Sequence, residues 1–232
     1  MATKTVFVIG ANRGIGRKFV DKFKSQGWEV HGSVRPQTVD DETVEELRGT
    51  VTKLYEIDYL DENSIQKAAQ QYGSGALDCL VNCAGISQGP VTWQEYDSTI
   101  LTKWFQIMVV GPLLATKHFQ PNLEKSEAGK VVNLTSKLGS IGENDNGTKI
   151  GYKLAKTALN QENRTIAMDL KSKGSKISLM AVSPGWVKTK LSGWLGDTDI
   201  DDSVNGMYAI LEKLTMEETG NFWNWSGEKI QF

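Results

Sequence analysis

KVVNLTSKLGSIGENDNGTKIGYKLAK, running from Lys130 to Lys156, is the stretch on which the reading of this chain turns. Its opening, with Val131, Val132 and Leu134, is an apolar run of the kind that forms a buried strand, and it ends in the hydroxyls of Thr135 and Ser136. GYKLAK then opens a helical pattern, and on a helix Tyr152 and Lys156, four positions apart, stand on one face. A phenol beside an ammonium makes an acid-base group, because positive charge favours the phenolate and pulls the tyrosine down from its usual value of about 10. Ser136 can steer a substrate oxygen toward that phenol. The chain carries 6 Tyr and 26 Lys plus Arg, so the same spacing also arises by chance as a surface pair, and the company it keeps has to decide.

Outward from this stretch, short apolar runs alternate with longer amphipathic ones. TVFVIG is followed by a helix from about Gly14, WEVHGSV by a charged helix over 41–48, VTKLYEID by a helix over 61–72, and LDCLVNCAG by a long helical pattern from Asp97 to Leu123. After VVNLTS come a helix over 150–171, KISLMAVSPG, a helix over 203–214, and NFWNWSG. Seven strands with interleaved helices predict an α/β fold, a single doubly wound parallel sheet over 1–232, since parallel strands need crossovers and become buried on both faces. Ligands of such sheets bind outside the carboxyl ends of the strands.

Composition narrows the function classes. With 232 residues and 39% hydrophobic content the chain can bury one sizeable core. A net charge of −2 argues against a nucleic-acid partner or an anionic membrane surface. The apolar run in MATKTVFVIG is too short for a signal peptide, and no stretch reads as a membrane span, so a cytoplasmic protein is expected. Cys79 and Cys83 stand apart in sequence from His31 and His118, which supports neither a disulfide framework nor a metal site. Sequons at Asn133, Asn146, Asn163 and Asn224 carry no weight without a secretory signal.

Between the first strand and the first helix lies Gly10-Ala-Asn-Arg-Gly14-Ile-Gly16, spaced GxxxGxG rather than GxGxxG. Gly10 permits a tight turn, Gly14 lets the backbone approach a pyrophosphate at the helix N-terminus, and Gly16 lets helix and strand pack closely. At the end of the second strand, where an NAD enzyme wants an acidic residue for the ribose 2′-hydroxyl, Val34 stands instead, followed by Arg35. With Arg13 in the glycine loop, two guanidinium groups can clamp a 2′-phosphate, which favours NADP. The alternative for Arg35 is a solvated loop cation before Pro36.

GANRGIG, Asp58, Asn82-Cys-Ala-Gly85, Ser136, Tyr152xxxLys156 and Pro184-Gly185, in this order and spanning essentially the whole chain, resemble the short-chain dehydrogenase/reductase family. Within it, GSIGENDNG before Tyr152, PGWVKT and the ending GNFWNWSGEKI look like the sniffer-like and C-factor-like carbonyl reductases. The resemblance implies that Gly10, Asn12, Arg13, Gly14 and Ile15 hold the cofactor phosphates and adenosine. It places Asp58 at the adenine, and Asn82 and Gly85 on the adenosine-ribose side. Pro184, Gly185, Val187 and Thr189 would embrace the nicotinamide carboxamide. Tyr152 would be the proton donor, Lys156 would bind the nicotinamide ribose and depress the tyrosine, and Ser136 would bond the carbonyl. The activity implied is NADPH-dependent reduction of a small ketone or aldehyde. A tailoring reductase of one specialised metabolite and a non-catalytic NADP-binding regulator are the alternatives. The family also implies a homodimer pairing through the 97–123 and 150–171 helices, with Trp104, Leu114, Ala158 and Ile166 available for it.

Three departures from the family pattern carry consequences. Met108 stands before Val-Val-Gly111, where the family has an Asn that anchors a water relay to the lysine; a short lid over 189–203 would instead open the Lys156 end to solvent. Ser136 lies further before Tyr152 than is usual, so a loop must bulge there, helped by glycines at 139, 142 and 147. The short lid implies a small or open pocket. Of the 7 tryptophans, Trp28, Trp223 and Trp225 read as packing residues, whereas Trp93, Trp186 and Trp194 either line the pocket or shield the cofactor.

Overall fold

A computed structural model describes residues 3–87 and 89–232. The strands are β1 (Thr5–Ile9), β2 (Glu29–Val34), β3 (Lys53–Glu56), β4 (Cys79–Asn82), β5 (Lys130–Leu134), β6 (Ser178–Ser183) and β7 (Phe222–Asn224). They form one parallel sheet in the order β3-β2-β1-β4-β5-β6-β7. The helices are α1 (Gly14–Ser25), α2 (Glu42–Arg48), α3 (Glu62–Tyr72), α4 (Ser98–Phe105), α5 (Gly111–Leu123), α6 (Ile150–Ser172) and α7 (Ile200–Lys213). The doubly wound expectation holds, and the order reverses between β1 and β4, which opens the crevice that ligands use.

Strand alternation explains the two layers. In β1, Val6 and Val8 enter the core shared with Phe19, Phe23, Val204 and Met207 of α1 and α7. Phe7 and Ile9 enter the opposite core with Ile65, Leu114, Phe119 and Leu123 of α3 and α5. Because side chains alternate at period two, a strand buried on both faces must be apolar throughout, and these four residues are at most 1% exposed. Each such side chain contributes roughly 1.5–3 kcal/mol of burial.

Residues Ser98–Leu123 form a helix long and apolar enough to cross a membrane, contrary to the sequence reading. In this fold its inner face is taken by the sheet core and by α6. Between α4 and α5, Gln106–Val110 make a π-helical turn in which the Gly111 N–H donates to the Gln106 carbonyl. Pro112 explains the irregularity: it has no N–H, so the Met108 carbonyl four residues earlier loses its helical donor.

Several buried side chains among the described residues carry polar atoms with no hydrogen-bond partner, and one of these side chains is ionisable. Glu162 on α6 is 8% exposed, both its carboxylate oxygens lack hydrogen bonds, and burial pushes its acid up to about 8. Its folded value lies above its ordinary one near 4.5, so its stabilising effect is complete below that value and is lost as pH rises toward 8. Melting measured from pH 5 to 8 is expected to show stability falling by up to about 1.4 kcal/mol per pH unit from this group, and Glu162→Gln should flatten the slope.

Candidate active site

The glycine loop follows β1 as expected. Gly10 has φ +86, and a Cβ there would lie 3.0 Å from the Ala84 backbone; at Gly16 a Cβ would lie 2.0 Å from the Gly10 carbonyl oxygen. No side chain fits at either position, and the first turn of α1 carries no acidic residue to oppose a phosphate. Arg13, the N-cap of α1, and Arg35, just past β2, are both exposed, while Val34 is uncharged and buried. The cradle and its two cations therefore fit a dinucleotide with a 2′-phosphate.

Neighbours that the sequence reading did not foresee fix this end. The Asn12 amide donates to Thr43 Oγ1 at 3.1 Å, and Thr43 donates to Asp41 at 2.7 Å. Those Thr43 bonds, with Arg13 and Lys190 adding to them, hold the Asp41 carboxyl below its usual range. Lys190 is thus a third cation near the glycine loop, brought there by the 190–192 turn. Asp58, two residues past β3, accepts from Gln37 at 2.9 Å and from the Leu60 N–H at 3.0 Å. The Asn82 side chain has partners that the resemblance does not name. Buried at 3% exposure, Asn82 accepts from the Tyr59 hydroxyl at 2.9 Å and donates to Asn133 at 2.8 Å, so its side chain braces the sheet. Gly85 is exposed beside it.

At the carboxyl end of β5, Ser136 begins a 3-10 turn and its hydroxyl accepts from the Leu138 N–H at 3.2 Å. The bulge before Tyr152 is the exposed 141–149 loop. Tyr152 and Lys156 lie on one face of α6, with the Lys156 ammonium 5.7 Å from the centre of the Tyr152 ring. Lys156 is 6% exposed and donates to the Leu134 carbonyl at 2.7 Å. This corrects two expectations. The lysine end of the site is closed to solvent, and the tyrosine is not depressed by the lysine: burial pushes the Tyr152 phenol up to about 12 against the opposing contact with Ser136, and burial brings Lys156 down to about 8. Both charged forms lose water here, and that loss is the largest influence on each group.

The far wall is the 184–199 segment. Gly185 has φ +83 and no room for a Cβ, since Thr198 Oγ1 would lie 2.7 Å away. The Pro184 carbonyl accepts from Ser203 Oγ at 2.6 Å. Val187 and Thr189 are buried, Val187 bridges to Thr198, and Thr189 caps the 190–192 turn. Thr189 Cγ2 reaches within 3.7 Å of where a Gly14 Cβ would stand, so this wall folds over the glycine loop, next to half-buried Ile15. The Ser87 hydroxyl holds it by donating to the Leu191 carbonyl at 2.8 Å. Trp93, Trp186 and Trp194 are 63%, 54% and 69% exposed, so they rim this end without packing into it, whereas Trp28 is core.

A family model described as short chain dehydrogenase matches residues 4–199. The chain belongs to the short chain dehydrogenase family. Its sequence is 31% identical to the C-signal protein of Myxococcus xanthus over 157 residues, 68% of this chain and 93% of that one. This dehydrogenase superimposes on the NADPH-bound carbonyl reductase from chicken fatty liver with a TM-score of 0.91 at 28% identity, covering 100% of both chains. Carbonyl reductase Sniffer of D. melanogaster gives a TM-score of 0.89 at 24% identity, again over 100% of both, and so shares the fold.

Proposed function

We propose that this dehydrogenase is an NADPH-dependent reductase of a ketone or aldehyde carbonyl on a small, apolar or aromatic substrate. The observation that carries the reading is the convergence of Ser136, Tyr152 and Lys156 at the carboxyl end of β5, on the same edge of the sheet as the Gly10–Gly16 cradle. The relative solved with NADPH supports the cofactor, and exposed Trp93, Trp186 and Trp194 at the rim support an apolar or aromatic substrate.

The cofactor supplies a hydride, and the chain's residues do the rest. Gly10, Asn12, Arg13, Gly14 and Ile15 bind the phosphates and adenosine, Arg13 together with Arg35 clamps the 2′-phosphate, and Asp58 meets the adenine. Asn82 and Gly85 flank the adenosine ribose through their backbones, and Pro184, Gly185, Val187 and Thr189 hold the carboxamide. Ser136 holds the carbonyl oxygen, Tyr152 gives it a proton, and Lys156 binds the nicotinamide ribose. Loss of NADPH absorbance with a panel of aromatic ketones, quinones and aldehydes tests the reading; tight NADPH binding with no turnover of any of them would overturn it in favour of a regulator.

Resupply of the Tyr152 proton does not depend on the side chain at 108. Met108 is 1% exposed and packs with Trp104, Val109 and Ala155, whereas its carbonyl, freed by Pro112, can hold a water. Met108→Asn is therefore expected to change kcat less than about tenfold, under about 1.4 kcal/mol in the barrier. A hundredfold gain in steady-state rate at saturating NADPH would contradict this.

The proposal extends to a homodimer through α4, α5 and α6. Trp104 and Leu114, expected at that surface, are instead buried at 5% and 9% exposure because they face the chain's own core. Exposed Phe105, Leu113 and Leu154 take their place. Sedimentation at micromolar concentration is expected to show twice 25.6 kDa; a 25.6 kDa species alone would refute the dimer.

A further inference from the structure

Tyr152 sits in the first turn of α6, the part of a helix that frays most readily, and this helix begins without a side-chain cap. Its N-cap, Lys149, is in the left-handed region at φ +57 and makes no capping hydrogen bond with its side chain. A non-glycine residue in that conformation persists only where its surroundings hold it. The proton donor would therefore be poorly placed unless another element fixed the turn.

The loop between β4 and α4 supplies that element. The Lys149 N–H donates to the Val91 carbonyl at 3.0 Å, and the Tyr96 hydroxyl donates to the Pro90 carbonyl at 2.8 Å. The Tyr96 ring lies against Gly151 so closely that a Cβ there would stand 2.4 Å from Tyr96 Cε1. Tyr96 meets Trp104 edge to face at 6.0 Å, and Trp104 meets Tyr152 in the same way at 6.2 Å and 89°. Gly89 completes the fit, since a Cβ on it would lie 2.3 Å from Trp104 Cζ2. Aromatic pairs in this geometry contribute beyond their buried area. On the other side of the turn, Lys153 reaches back to Asn144 Oδ1 and to the Asn146 carbonyl and Oδ1, contacts that are exposed, whereas the ring of Trp104 is buried.

We propose that the ladder Tyr96–Trp104–Tyr152, notched into Gly89 and Gly151, replaces the missing cap of α6, and that Trp104 is the positioning residue that aims the Tyr152 phenol. The proposal rests on Tyr152 being the proton donor. It assigns the 89–96 loop to the catalytic machinery: whatever moves the loop moves the phenol.

The test is Trp104→Leu, which keeps an apolar side chain and removes the ring, beside Trp104→Phe, which keeps a ring. In Trp104→Leu, kcat should fall roughly tenfold with KM and the NADPH dissociation constant within twofold, and amide exchange should quicken at Lys149 and over residues 153–156 but not in the sheet. Trp104→Phe should recover most of both. Gly151→Ala, which displaces Tyr96, should reproduce the Trp104→Leu pattern. Native exchange at Lys149 and over 153–156 in Trp104→Leu would overturn the proposal, as would a fall in kcat matched by equal losses in KM and cofactor binding with protection lost throughout. Tyr152→Phe, run in parallel, separates the two readings: if it keeps near-native activity the proton-donor assignment fails, while the exchange result still reports whether the ladder holds the turn.

Discussion

Tyr152→Phe is expected to lower kcat at least about a hundredfold, the contribution typical of a positioned general acid, while NADPH binds as before. The phenol beside Ser136 carries a proton to give: its high value, pushed up to about 12 by burial, keeps it protonated in the working range. A reductase needs that state, since the proton goes to an oxygen that becomes negative as hydride arrives. In the oxidative direction the same tyrosine must accept a proton, and burial then works against it until a cation draws nearer. Lys156 at about 8 is poised to change charge in the working range, so the reductive rate should decline as pH rises through that region. Steady-state rates of Tyr152→Phe at saturating NADPH decide the matter. Near-native activity would remove Tyr152 from the chemistry.

The parts of this site legible in the sequence are those set by backbone and period. Gly10 and Gly16 announce their steric demands directly, and the four-residue spacing of Tyr152 and Lys156 survives because α6 is regular through that turn. The charge state of the pair was not legible, because it depends on how deeply each is buried and on the Leu134 carbonyl that holds the ammonium. Asn82 shows a similar limit. Its place at the end of β4 is readable, yet its side chain is spent on Tyr59 and Asn133, partners distant in sequence. Gln37, Thr43, Ser87 and Lys190 carry no local signal at all; the crossovers bring them to the cleft. The membrane-length helix was missed for a different reason. Its polar residues, among them Lys103, Gln106, Lys117 and His118, are dispersed along it, so no single uninterrupted apolar run stands out.

The second large effect concerns the two arginines. NADPH should bind the native chain at least about tenfold tighter than NADH, and Arg13→Ala with Arg35→Ala should weaken NADPH binding by roughly a hundredfold while leaving NADH nearly unchanged. The magnitude follows from about 1.5–3 kcal/mol for each hydrogen bond to a charged group, taken at the low end because both guanidinium groups are exposed. Exposure also makes the preference shrink with added salt, which a purely steric discrimination would not do. Placing an acid at position 34 is a poorer route to the same test. Val34 is 2% exposed and shares a core with Val44 and Leu47, so Val34→Asp would bury an unpaired carboxylate and blur a change in specificity with a loss of stability. Equal dissociation constants for NADPH and NADH in the native chain would refute the clamp. A preference that outlives both arginines would shift the assignment to Lys190, the remaining cation beside Asp41.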